Sequence, residues 1–178
     1  MAFGLLLVRM VVGLLFAGHG VQKLFGWFGG PGREGAEAFL RSLRYRWGRG
    51  MAIAHGATET VAGALLALGF LTPLASAMVI GVMLNAIVVV HLPKGVWNTQ
   101  GGFELPLVYA AAAAGLTFVG PGAWSIDRLI GFSPGPVASG LGAIALGVVA
   151  GLIALATRAP AREAAAGRAE GRDEREAA

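Results

Sequence analysis

The sequence predicts an all-α integral membrane protein, with a four-helix antiparallel transmembrane bundle and a fifth transmembrane helix at the C-terminal side. Of its 178 residues, 56% are hydrophobic and only 13% are charged, a composition too apolar for an ordinary soluble domain. Five apolar segments approach the roughly 20 residues that a bilayer-crossing helix needs. Polar side chains recur inside these segments, so we expect the helices to enclose a polar interior.

The first apolar segment, residues 4–25, is followed by the interface aromatics Trp27 and Phe28. It lacks the basic start and the cleavage pattern of a signal peptide, so we expect a retained span. An arginine that faced lipid within this segment would cost at least ~2.5 kcal/mol, so its polar stripe should face protein. On a helix, at about 100° per residue, this stripe comprises Arg9, Gly13, Phe16, Gly20 and Lys23.

Residues 34–47 predict a short amphipathic helix on the membrane surface. Charged side chains, Glu37, Arg41 and Arg44, occupy the side opposite the apolar one. Such a helix can serve as a lid over the bundle or as a surface float, and both alternatives stay open. The apolar side comprises Ala36, Phe39, Leu40, Leu43 and Trp47.

The second and third apolar segments, residues 51–71 and 74–92, are joined by a very short turn at Thr72 and Pro73. They should therefore be antiparallel neighbours. The fourth segment, residues 103–119, opens with Glu104 and has an alanine-rich centre suited to close helix contact.

The fifth apolar segment, residues 137–157, follows a short connecting element and contains Gly147 and Gly151, whose spacing lets helices approach closely. We predict a membrane core over residues 1–131, with a surface loop at 33–50, and an additional helix over 132–157. Residues 158–178 are mainly Ala, Arg and Glu, so we expect a charged, disordered tail without chemistry.

Antiparallel threading places several polar groups at one end of the bundle, here called side A, where the first span ends and the second begins. Low dielectric there favours pairing Lys23 with Glu59 or Glu104. Two hypotheses stay open for the cluster: a pocket that binds a small ligand or relays protons, and a set of structural contacts that fix helix register. The cluster comprises His19, Lys23, His55, Glu59, Asn85, His91 and Glu104.

Arg9 lies near the opposite end, side B, where threading makes Asp127 its nearest counter-ion. We predict that Arg9 and Asp127 form a structural ion pair.

Several kinds of chemistry are not favoured by the sequence. Cysteine is absent, which excludes thiol redox chemistry, thiolate-bound zinc and all-cysteine iron–sulfur clusters within this chain. Spacing does not single out His19 and His91 as haem ligands, and the Glu-x-x-His motif of di-metal bundles is missing, so we predict no metal site. The net charge of +4 comes without a nucleic-acid-reading element.

Basic residues in the loops indicate topology instead. They concentrate on side A, which should therefore face the cytoplasm, together with the C-terminal tail, in a multi-pass protein of the cell inner membrane.

These features together resemble the DoxX family of small bacterial and archaeal membrane proteins, over about residues 5–131. The resemblance lies in Arg9, in His19-Gly20 followed by the segment 23–30, and in Glu59 before the segment 68–73. It continues in His91-Leu92-Pro93, Gly101-Gly102-Phe103-Glu104, Gly120-Pro121-Gly122 and Ser125-Ile126-Asp127.

The resemblance implies a four-helix membrane core and a link to redox systems. The family name derives from a subunit of a quinone-linked oxidase or thiosulfate oxidoreductase system, and some relatives look like partners of redox or oxidative-stress proteins. This chain departs from the family by its additional apolar span, its charged tail and its lack of cysteine.

Our leading hypothesis is an accessory subunit, without activity alone, of a quinone-linked membrane redox system. Its pocket would bind a quinone or dock a redox partner, anchored by Lys23 and Glu59 and gated by Glu104, with the histidines donating hydrogen bonds or relaying protons. The alternative is a non-catalytic scaffold or assembly factor that recruits a partner through residues 33–49. A transporter is disfavoured because no repeated half or broken helix is present, and the glycine-rich spans are compatible with a homo-oligomer.

Overall fold

A computed structural model describes residues 2–160, and within that range the chain is helical and contains no β-strand. This confirms the predicted all-α membrane fold. The fourth α-helix, Thr72–Ala86, continues through a π-helical turn, Ile87–His91, and a 3₁₀ turn, Leu92–Lys94. The α-helices are α1 (Ala2–Phe25), α2 (Gly32–Ser42), α3 (Gly48–Leu68), α4 (Thr72–Ala86), α5 (Glu104–Val119), α6 (Ile126–Leu129) and α7 (Pro136–Ala156).

The described chain has four helices that are long and apolar enough to cross a membrane: α1, α3, α4 with its continuation to Lys94, and α7. These spans imply a lipid bilayer as the environment of the protein. The predicted fourth span is the shorter helix α5, whose 16 residues cover only about 24 Å at 1.5 Å per residue.

Helix α4 is the centre of the bundle and packs against α3, α5 and α7. It is apolar around its whole circumference, which is typical of a helix enclosed by other helices. The core beside it includes Phe16 of α1, Val79 of α4 and Tyr109 of α5. The rings of Phe16 and Tyr109 lie 5.8 Å apart between centroids.

Helices α1 and α3 pack closely through small residues. The buried residues of α1 are Arg9, Gly13, Phe16 and Gly20, so the predicted polar and small stripe does face protein. A Cβ atom on Gly13 would lie 2.6 Å from both the Ala67 amide nitrogen and the Gly63 carbonyl oxygen. Any side chain at position 13 would therefore separate the two helices.

The last helix, α7, belongs to the bundle. A Cβ atom on Gly147 would lie 2.7 Å from the Ala77 carbonyl oxygen of α4, so the close helix approach predicted from the glycine spacing occurs here. The Asn85 side chain of α4 also donates a 3.0 Å hydrogen bond to the Gly151 carbonyl oxygen.

The C-terminal end of α7 meets the loop that follows α2. The Ala159 amide donates to the Arg44 carbonyl oxygen at 2.8 Å, and Arg158 Nε donates to the Leu43 carbonyl oxygen at 2.9 Å. The end of α7 therefore lies on side A, as antiparallel threading predicts. Residues 158 and 159, which we assigned to a tail, are thus bonded to the bundle, and the predicted tail beyond residue 160 lies outside the described residues.

We expect Gly13→Ala to destabilise the protein by about 2 kcal/mol, because the added methyl group overlaps the backbone of α3. Gly18→Ala is the matched control, since no atom lies within 4 Å of a Cβ at that position of the same helix. Thermal unfolding of both variants in one detergent measures the difference. Equal melting temperatures would contradict the close α1–α3 contact.

Candidate functional site

A cavity of about 410 Å³ lies on side A between α1, α2, α3 and the C-terminal half of α4. Helix α2 covers it with Ala36, Phe39 and Leu40, so the structure uses the amphipathic helix as a lid rather than as a detached float. Val82, Val89 and other apolar side chains of α4 form the wall next to the lid. The polar lining residues are Lys23, Tyr45, His55, Glu59 and Asn85.

An ion pair between Lys23 and Glu59 joins α1 to α3 inside this cavity. Lys23 Nζ lies 2.5 Å from Glu59 Oε1, and the Glu59 side chain is only 4% exposed, against 31% for Lys23. Glu59 Oε2 is buried and has no hydrogen-bond partner in the described structure. The cavity therefore contains a buried carboxylate oxygen with a free acceptor position.

The pair forms because α1 and α3 approach closely beside it. A Cβ atom on Gly56 would lie 2.8 Å from Leu24 Cγ, and Gly20 faces Thr60 and Gly56 in the same way. These small residues bring the two backbones close enough for the side chains of Lys23 and Glu59 to meet.

His55 lies one turn before Glu59 on α3, and its ring contacts the ring of Tyr45 edge-on, with centroids 6.0 Å apart. The Tyr45 hydroxyl donates a 2.8 Å hydrogen bond to Asn85 Oδ1. Asn85 Nδ2 donates to the carbonyl oxygens of Gly81 and Gly151, at 3.0 Å each. The Asn85 amide is therefore fully paired, and it fixes the position of the tyrosine.

Tyr45 is a cavity residue that the sequence analysis missed. Burial raises the pKa of its phenol above the ordinary value of 10.0, against a smaller opposing effect from the positive charge of Arg158. The hydroxyl is therefore protonated at neutral pH and can donate to Asn85. Tyr45 follows α2, where Arg44 adopts a left-handed backbone with φ of 67°, so no helical periodicity indicates which way its side chain points.

The structure brings together Lys23, His55, Glu59 and Asn85 of the predicted cluster, while the other three predicted residues do not line the cavity. His19 is exposed on the outer side of α1. His91 Nδ1 lies 2.7 Å from the Gly101 carbonyl oxygen, and Glu104 accepts a 2.9 Å hydrogen bond from the Asn98 amide. His91 and Glu104 thus hold the loop between α4 and α5, and the lid, rather than Glu104, covers the cavity.

The described residues contain no group of three or more His, Cys, Asp or Glu side chains that could hold a metal ion. Hydrogen-bond donors and one free acceptor oxygen in an apolar cavity suit an uncharged organic ligand with both acceptor and donor groups.

On side B, the predicted ion pair does not form: the salt bridges among the described residues do not include one between Arg9 and Asp127. Arg9 Nη1 donates to the Pro121 carbonyl oxygen and Nη2 to the Trp124 carbonyl oxygen, the latter at 2.6 Å. Asp127 instead accepts from the Leu71 amide at 2.7 Å and from the Thr72 amide and hydroxyl at 2.9 and 2.7 Å.

Asp127 is not free to pair with Arg9 because its carboxylate caps the start of α4. The first amide groups of a helix lack intrahelical partners, and Leu71 adopts a left-handed backbone with φ of 47°. The Asp127 carboxylate satisfies these amides and is therefore occupied. Arg9 instead bonds backbone oxygens of the loop that precedes α6, the short helix of Asp127.

Comparison with known proteins places this architecture. A family model described as DoxX matches residues 4–92, which extend from α1 to the C-terminal end of α4. An uncharacterised membrane protein of Mycobacterium tuberculosis is 30% identical over 131 residues, which cover 68% of this chain and 77% of that protein. No solved structure shows a significant match.

We expect Lys23→Met to destabilise the protein by about 3 kcal/mol, because it leaves the Glu59 carboxylate buried without a cation. Adding Glu59→Leu should restore most of the loss, since an apolar pair replaces a buried ionic one. Reversible unfolding in mixed micelles measures each variant.

The exposed pair of Glu37 and Arg41 provides the control, and Glu37→Gln should cost about 0.5 kcal/mol. A loss for Lys23→Met no larger than this control would contradict the importance of the buried pair.

We expect Asp127→Ala to cost at least ~2 kcal/mol, because it leaves buried donors at the start of α4 unpaired. Arg128→Ala, at the exposed neighbouring position, should change stability by no more than ~0.5 kcal/mol. Unfolding of the two variants side by side tests this, and similar losses would contradict a capping role for Asp127.

Proposed function

The chain belongs to the DoxX family of membrane proteins, and on this basis we propose that it is an accessory subunit of a membrane redox system whose side-A cavity binds a quinone or quinol. The proposal places this chain beside a redox partner that carries the electrons. The chain has no cysteine, so thiol or all-cysteine iron–sulfur chemistry in such a system would have to come from the partner.

The observation that carries the proposal is the buried Glu59 Oε2 atom without a partner in an apolar cavity. Buried carboxylate oxygens are almost always hydrogen-bonded, so this atom requires a donor. A quinol hydroxyl is a donor of this kind. The Lys23 ammonium has three N–H groups, and the one facing Glu59 leaves others for a carbonyl oxygen of a quinone.

The size and lining of the cavity agree with this ligand. A volume of about 410 Å³ lies within the range of roughly 300–1,000 Å³ that is usual for small-molecule sites. Phe39, Leu40 and Val89 supply apolar surface for a substituted ring, while His55 adds a ring nitrogen that donates or accepts.

A bound quinone would supply two-electron chemistry coupled to proton uptake. Glu59 can accept a proton at Oε2 without breaking its contact to Lys23 at Oε1. Lys23, which is part-exposed, connects this buried carboxylate to the outside of the bundle. The cluster thus has the groups needed to hold a proton beside the ligand.

The proposed orientation places side A in the cytoplasm of a cell with this protein in its inner membrane. Within the described residues, the side-B loops contain one basic residue, Arg128. Short cytoplasmic loops carry the excess of Lys and Arg in most membrane proteins. The basic residues on side A include Arg33, Arg41, Arg44, Arg46, Arg49, Lys94 and Arg158.

Binding of a tailless methylated benzoquinol, kept reduced, to the full-length protein in detergent tests the proposal, because the quinol O–H group can donate to Glu59 Oε2. We expect saturable binding that Glu59→Gln weakens at least about tenfold, because a hydrogen bond to a charged group contributes ~1.5–3 kcal/mol. His19→Gln is the control, since this exposed histidine should leave the affinity unchanged.

Binding that is equal in the wild type and in folded Glu59→Gln would refute the cavity as the site. If the protein does not bind the quinol probe and co-purifies with a second polypeptide, the scaffold hypothesis is favoured instead.

A further inference from the structure

The cavity has a polar wall and an apolar wall. Lys23 of α1 and His55 and Glu59 of α3 supply the polar groups, whereas Phe39 of α2 and Val89 of the π-helical turn supply apolar surface. A ligand whose polar head contacts Glu59 must therefore place its remaining surface against the lid. The residues of the cavity lining that are exposed, Pro31 and Phe39, also belong to this side, which indicates that the cavity opens here.

The opening lies along one edge of α2. Pro31, Gly35 and Phe39 follow each other at intervals of four residues, so they share one side of the lid, and all three line the cavity. Pro31 is exposed, and Phe39 is 50% exposed, although each has a surface toward the interior. A Cβ atom on Gly35 would lie 2.7 Å from Pro31 Cβ, so Pro31 packs directly against the backbone of α2 at this position.

A shallow outer groove begins at this opening. It is lined by Leu24, Phe25, Trp27 and Pro31, and it shares Pro31 with the cavity. Arg33 and Glu34 form its polar rim. The cavity and the groove are therefore neighbours, with a single proline between them.

The groove lies at the depth of the membrane interface. Phe25 and Trp27 are 59% and 60% exposed, and their rings lie 5.5 Å apart between centroids at the end of α1. Exposed aromatic residues at the end of a transmembrane helix are typical of the boundary between hydrocarbon and headgroups. A chain lying in this groove would have lipid on its outer side.

We propose that the ligand is a membrane-resident amphiphile whose apolar tail leaves the cavity past Pro31 and lies in the groove of Leu24, Phe25 and Trp27. This inference rests on the proposed function, which concerns the head of the ligand, and it adds a second binding surface for the tail. The ligand then enters from the bilayer, and the polar rim at Arg33 and Glu34 stays at headgroup level.

Two probes with the same benzoquinol head, one with a decyl tail and one without, test the inference on the full-length protein at a fixed detergent concentration. We expect the decyl probe to bind about tenfold tighter or more in the wild type, because part of the tail becomes buried against the groove. Trp27→Ala should remove most of this advantage and leave the affinity of the tailless probe unchanged.

Trp124→Ala is the matched control, because Trp124 is 58% exposed on side B, outside the groove. Partition of the decyl tail into the micelle affects this variant and Trp27→Ala equally. It should keep the full advantage of the decyl probe. Phe25→Ala is a second groove variant, and it should act like Trp27→Ala. Melting temperatures confirm that each variant is folded.

The outcomes separate this inference from the proposed function. If the two probes bind with equal affinity, and Glu59→Gln weakens the binding of both, the cavity remains the head site and the tail groove is overturned. A tail advantage that persists in both groove variants would also overturn it. If Glu59→Gln leaves the affinity of both probes unchanged, the proposed function is refuted instead.

Discussion

The close contact between α1 and α3 determines most of what this protein can do. Glycines on both helices bring the backbones together, so that Lys23 and Glu59 meet at the end of the contact instead of reaching solvent separately. A carboxylate buried in this way is stable only beside a cation. The helix contact therefore creates both the ion pair and the polar wall of the cavity.

The two buried carboxylates, one at each end of the bundle, differ in how completely their oxygens are bonded. On side B, Asp127 accepts three hydrogen bonds from the start of α4, so its carboxylate is satisfied within the chain. On side A, Glu59 has one oxygen on Lys23 and the other free beside an open volume. A satisfied carboxylate is a structural element, whereas a free one beside a cavity can accept a ligand. This contrast is the reason for placing the function on side A.

Helical periodicity and antiparallel threading predicted the buried stripe of α1, the α3–α4 hairpin and the meeting of Lys23 with Glu59. His19 was assigned to the cluster by depth alone. The helical period rotates it about 100° from Gly20, outside the buried stripe, and the structure follows the period, since His19 is exposed. The partners of Arg9 could not be predicted either, because backbone carbonyls of a loop leave no signal in the side-chain pattern. Tyr45 was missed because the helix predicted over residues 34–47 ends at Ser42, and the turn at Arg44 redirects the chain before Tyr45.

The loop that follows the lid is held by a part of the chain beyond the segment that matches the family. Residues 4–92 contain every residue that lines the cavity, and hence its chemistry. The lid packs on α3 and α1, whereas Arg158, just after α7, holds the loop that follows the lid. Arg158 donates to the Leu43 carbonyl oxygen and lies over the Tyr45 ring, 5.9 Å from its centroid. The Gly151 carbonyl oxygen also orients Asn85, which accepts the Tyr45 hydroxyl. A relative without this last helix would need another way to fix Asn85 and the Tyr45 loop beside the same polar wall.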